Sequence, residues 1–161
     1  QGLLVYLASE KKKSGASLEE TVAYVMDMRQ YICHWFTVDD LEYLKRGGRV
    51  NPTVAFVGNV LGIKPVLHVD HEGRLINISK IRGRKRSLAA LAEKYTELAK
   101  EPENGTVFIS HSDCAEDANA LASLLQEQHN VRVRLITNIG TVIGAHTGPG
   151  TVALFFIGKE R

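Results

Sequence analysis

Val66-Leu67-His68-Val69-Asp70-His71-Glu72-Gly73-Arg74-Leu75-Ile76-Asn77-Ile78 decides the architecture. Two apolar runs flank Asp70-His71-Glu72-Gly73, and the glycine supplies the positive φ that a tight reversal needs, so the stretch reads as a β-hairpin. Toward the C-terminus, Leu88, Leu91, Tyr95, Leu98 and Ala99 recur at helical spacing, and Gly105 precedes an apolar strand from Thr106 to Ser110. Asp113 and Glu116 open a further helix whose apolar face is Ala118, Leu121, Ala122 and Leu125, with Ser112 or Asp113 as its N-cap. Val131-Arg132-Val133-Arg134-Leu135 alternates as a half-buried strand does, and Val152 to Ile157 supplies the last one.

Toward the N-terminus, Pro52 opens a helix through Leu61, proline being tolerated in a first turn. Asp39 and Glu42 cap a brief helix carrying Leu41 and Leu44, which Gly47-Gly48 ends, and His34 to Val38 is a short strand. Gly2 to Lys13 is a helix with its lysines at the end where cations favour the dipole. Ser17-Leu18-Glu19-Glu20 has capping-box spacing and starts a second helix that runs to about Cys33. Six strands and about six helices, with a hairpin among them, imply an α/β or α+β fold: a mixed six-stranded sheet with flanking helices.

The chain has 161 residues, 44% of them apolar, enough for one domain with a core that needs neither disulfides nor metal. A net charge of +2 does not indicate a dedicated nucleic-acid or membrane-surface binder, and the few aromatics are not interleaved with the cations. Cys33 and Cys114 have no companions at ligand spacing, which fits a reducing cytoplasm. The longest apolar runs are far short of the roughly 20 residues that cross a bilayer. Residue 1 is Gln and no signal-peptide pattern follows, so the expectation is a piece of a longer chain.

Several constellations compete for a function. Ser110-His111-Ser112-Asp113 holds the residue types of a hydrolase triad, but consecutive residues fan outward instead of converging, and no catalytic set is expected there. His68 and His71 would point to opposite faces of a strand, so no metal site is expected, and Cys33-His34 reads as a buried structural pair. Lys80, Arg82, Arg84, Lys85 and Arg86 crowd a strand-to-helix junction, either as a solvated run or as a patch for an anion or a partner, with Lys45, Arg46 and Arg49 as an extension. The densest signal is Gly140-Thr141-Val142-Ile143-Gly144-Ala145-His146-Thr147-Gly148-Pro149-Gly150. Glycine at this density implies special φ values or close backbone approach. His146, held in a glycine turn between the hydroxyls of Thr141 and Thr147, either donates an N–H to an anion or is a satisfied structural histidine.

Phe36 to Val50, containing Tyr43-Leu44-Lys45-Arg46-Gly47-Gly48-Arg49, then Ile63 to Leu67, Gly73 and Lys80-Ile81-Arg82, then Gly140 to Gly150, together resemble the DegV family of bacterial fatty-acid-binding proteins. The resemblance covers nearly the whole chain. It implies two α/β lobes, with residues 34–161 as the C-terminal lipid-binding lobe and residues 1–33 as a helical hairpin connecting to a missing N-terminal lobe. In the family it resembles, that first lobe supplies hydroxyl side chains to the ligand carboxylate. The implied activity is to hold a long-chain fatty acid, tail buried and carboxylate near the lobe junction, and to present it to a fatty acid kinase for acyl phosphate formation. On this resemblance His146 contacts the carboxylate and Arg82 contributes to kinase docking or phosphate handling; Thr147 and Gly144 are expected beside His146, and the cation cluster at the helix start adds Arg84 and Lys85 to the docking patch. Val54, Phe56, Val57 and Leu61 line the acyl tail, in a segment that either covers the tunnel or is an ordinary buried helix. No cofactor is expected beyond the fatty acid ligand. The rival readings are an acyl or phosphoryl transferase using His146, or a regulatory partner-binding module.

Overall fold

A computed structural model describes residues 1–50 and 62–161. The segment expected to run as a helix from Pro52 to Leu61, with Val54, Phe56, Val57 and Leu61, lies outside the described residues. Among the described residues six strands form one mixed sheet: β1 (Ile32–Thr37), β2 (Ile63–Val69), β3 (Leu75–Arg82), β4 (Thr106–His111), β5 (Arg132–Asn138) and β6 (Val152–Ile157). The order is β3-β2-β1-β6-β4-β5, with β4 and β5 parallel and the other neighbours antiparallel. The hairpin turns as expected, with Gly73 at φ 80, and its strands extend to Ile63 and Arg82, with a register shift at Val66/Leu67. The expected α/β class with a mixed six-stranded sheet is therefore the observed one.

The described helices are α1 (Gly2–Lys13), α2 (Leu18–Met28), α3 (Glu42–Arg46), α4 (Arg84–Leu98), α5 (Ala115–His129) and α6 (Thr141–Thr147). Side chains alternate across β1 and so divide the protein into layers. Cys33 and Trp35 face the main core with Leu91, Tyr95, Leu121 and Leu125, beneath α4 and α5. On the opposite face Ile32 joins Leu3, Leu7, Met28 and Phe108 beneath the α1–α2 hairpin, whereas Phe36 joins Leu41, Leu44, Leu67 and Ala153 beside α3. Two caps thus share one face of the sheet.

Four expectations are corrected. The second helix stops at Met28, not Cys33, because the backbones of Ile32 and Cys33 pair with Ile157 and Phe156 in the sheet; the Ser17–Glu20 capping box that starts it is present. Asp40, not Asp39, accepts the Glu42 N–H before α3 (2.8 Å), while Asp39 is drawn to Lys64 Nζ (2.6 Å). Neither Ser112 nor Asp113 caps α5: Asp113 adopts φ 52, Cys114 occupies the cap position, and His111 Nδ1 accepts the Cys114 N–H (3.4 Å). Finally, Thr141–Thr147 is a two-turn helix, with the expected glycine turn confined to Gly148 and Gly150, both at φ 77.

Candidate functional site

The glycines of two distant sequence stretches meet. A Cβ on Gly148 would fall 2.5 Å from Tyr43 Cδ2, and one on Gly150 would fall 2.7 Å from Asp39 Cβ, so the turn after α6 lies directly on the segment around α3. A Cβ on Gly47 would collide with Nδ1 of His146 and lie 3.2 Å from its Cγ. A larger residue at Gly148 or Gly150 would push that turn away from Tyr43 and Asp39, whereas one at Gly47 meets only the His146 side chain. The ring of His146 therefore rests with its Nδ1 edge on the Gly47 backbone, and Nε2 is on the edge turned away from it. Among the described residues no hydrogen bond to this ring is present.

His146 and Thr147 line a cavity of about 560 Å³. Its floor is the sheet face, where register aligns Phe36 with Ala153 and Ala153 with Ser110, and one step deeper aligns His34 with Phe155. Leu44, Val69 and Leu75 add apolar walls, Arg49 stands exposed among the lining residues, and Gln1 contributes from the side of α1. Val142, 72% exposed, and Ile143, 56% exposed, are also among its lining residues.

The sequence-derived ligand residues are not equivalent. His146 is half-buried and lines the cavity. Thr147 is buried and also lines it, but its hydroxyl already donates to Ile143 O (3.1 Å), leaving an oxygen that can accept. Gly144 lies mid-helix, where a Cβ would meet only Ser112 Oγ at 3.8 Å, and it does not line the cavity. The basic cluster also divides. Arg84 donates through Nε to Asp117 Oδ2 (2.9 Å) and lies beside Cys114 Sγ, so it ties α4 to α5. Arg82 and Lys85 remain exposed at the same sheet end.

Sequence reasoning missed His34. Read as a buried structural residue beside Cys33, it faces the cavity because β1 points its even-numbered side chains that way. Burial, reinforced by the Arg161 guanidinium near its Nδ1 (3.5 Å), pushes its pKa down to about 4, so the imidazole is neutral at physiological pH. Ser110, set aside as a nucleophile, likewise contributes to the cavity floor. The signal that could have found both is strand parity relative to Phe36. Cys33, on the other face, has its thiol pushed up to about 12, first by burial. Among the described residues no group of three or more His, Cys, Asp or Glu side chains is placed to hold a metal ion, and no helix is long and apolar enough to cross a membrane.

Known proteins share this fold. A DegV domain-containing protein of Clostridium perfringens is 48% identical over 161 residues, all of this chain and 55% of its own length. A DegV lipid binding protein from Thermotoga maritima is similar with a TM-score of 0.81 and 33% identity, covering 99% of this chain and 55% of that one. A DegV family protein from Thermus thermophilus, whose structure was described for fatty acid binding, gives a TM-score of 0.83 at 32% identity, covering 98% and 56%. The chain thus spans just over half the length of these relatives. The model of the family described as "Uncharacterised protein, DegV family" matches residues 1–159. With the Gly47–His146 and Tyr43–Gly148 contacts joining the two stretches that carried the resemblance, the chain belongs to the DegV family.

Proposed function

We propose that this chain binds one long-chain fatty acid, with the tail in the cavity and the carboxylate at His146, and that the whole protein presents it to a fatty acid kinase. The observation that carries this reading is the polarity of the cavity: a mainly apolar floor in which Phe36, Ala153 and Phe155 lie beside Ser110 and the neutral His34, with the imidazole of His146 and a threonine among its walls. A buried carboxylate needs a strong donor, whereas an acyl tail needs only apolar room, and a volume of this size is in the range of small-molecule sites. Residues 34–161 would form the lipid-binding lobe and residues 1–33 the connection to the other lobe. The exposed side chains of Val142 and Ile143 would then face that lobe, whose hydroxyl groups complete the carboxylate site.

In this reading the chain is a carrier and not an enzyme, with phosphoryl chemistry supplied by the kinase in the cytoplasm, and the two free thiols of Cys33 and Cys114 fit a reducing compartment. Arg82 and Lys85, exposed at the sheet end that also carries α3 and α6, are its docking cations, while Arg84 contributes structure through Asp117. The test is to purify the complete protein from bacteria, identify extracted lipid by mass spectrometry, and assay product formation with and without the kinase. Stoichiometric fatty acid with no turnover until kinase and ATP are added is the expected outcome. Turnover without the kinase would favour a transferase using His146, and absence of lipid would remove the carrier.

A further inference from the structure

We propose that Phe155 is the partition that sets the length of acyl tail this cavity accepts, an inference that rests on the fatty-acid reading above. Phe155 lines the main cavity and also a second, smaller one of about 180 Å³. The second cavity is walled mainly by Leu3, Ile32, Phe108 and Leu135, beneath the start of α1, so apolar room continues on the far side of the phenyl ring. The same side chain packs against both apolar clusters on this face of the sheet. Among the described residues it is the one large apolar side chain common to both spaces, which also share Gln1 and Ser110.

Its position is held by its neighbours. The register places Phe155 between His34 on β1 and Phe108 on β4, and β6 is an interior strand, paired on both sides. The ring meets His34 edge-on, with centroids 5.6 Å apart and planes at 66°. Burial keeps that imidazole neutral, so it acts as an aromatic brace and not as a charge that would draw water into the tunnel. A tail extending from His146 across the floor reaches this ring. Up to it, each methylene gains apolar burial, about fourfold in affinity. Beyond it, a further methylene must displace a packed side chain.

The test uses the complete protein and competitive displacement by saturated acids from lauric to arachidic. Wild-type affinity should climb about fourfold per methylene to a limiting length and then level off or fall. Phe155→Ala should move that limit to longer acids by at least two methylenes, about fifteenfold in favour of the longer acid. Phe155→Leu should move it in the same direction and serves if the alanine variant does not fold. Leu135→Trp, on the exposed rim of the second cavity, should return the limit to the wild-type length in the Phe155→Ala background. An unchanged limit in a folded Phe155 variant overturns the partition. Absence of saturable binding of any acid to the folded wild type overturns the fatty-acid reading, and the partition with it.

Discussion

The imidazole of His146 occupies the space that a β-carbon on Gly47 would need, with Cγ and Cε1 at 3.2 and 3.3 Å from that position. This contact makes the glycine part of the candidate site without giving it a ligand-binding atom. The adjacent Gly48 differs: it has φ 69 and nothing within 4 Å of where its Cβ would be.

The two glycines therefore predict opposite phenotypes. Gly47 has φ −73, which alanine tolerates, so Gly47→Ala should leave backbone conformation intact but displace the His146 ring, lowering fatty-acid affinity by about 1–2 kcal/mol. Gly48→Ala should cost about 1–2 kcal/mol of stability through left-handed strain and leave affinity unchanged. Ligand titration and chemical denaturation of both variants distinguish the effects.

Among the basic residues, Arg84→Ala should destabilise the protein by about 1–3 kcal/mol, because Asp117 loses a partner in a partly buried pair. Arg82→Ala and Lys85→Ala should be neutral within about 0.5 kcal/mol, as exposed substitutions usually are. In a kinase-coupled assay the Arg82/Lys85 double variant should keep its lipid and lose acyl phosphate formation, most visibly at low salt. Equal rates for the double variant and wild type would assign both residues to solvent.

How much of this was legible in sequence depends on whether a signal is local. The hairpin was legible because Gly73 and two apolar runs specify it within a dozen residues, and the capping box of Ser17 and Glu20 marks the start of α2 for the same reason. The end of α2 was not, because Ile32 and Cys33 continue a helical pattern and only pairing with Ile157 and Phe156 assigns them to the sheet. His146 stood out through the glycines around it, but their purpose lies in Tyr43 and Asp39, about a hundred residues away. His34 was hidden because cavity-facing parity along β1 is meaningful only once the far-side caps are placed.

That same His34 predicts a pH dependence. The folded protein holds it neutral with a pKa near 4 against an ordinary 6.5, first through burial and then through Arg161. Stability from this residue is therefore fully present above about pH 6.5 and lost as pH falls toward 4, because the unfolded chain takes up the proton first. The loss should be on the order of 3 kcal/mol, and His34→Leu should flatten that part of the stability profile. An equally steep profile in the folded variant would assign the acid sensitivity elsewhere.

The central claim is that the imidazole at the apolar cavity receives a carboxylate. The most direct measurement is calorimetric titration of delipidated complete protein with palmitate, comparing wild type with His146→Ala and checking both by thermal unfolding without ligand. The account predicts saturable binding by wild type and a loss of about 1.5–3 kcal/mol in the variant, roughly ten- to 150-fold in affinity, with little change in the unliganded melting temperature. Equal palmitate affinity in a folded His146→Ala protein would contradict it.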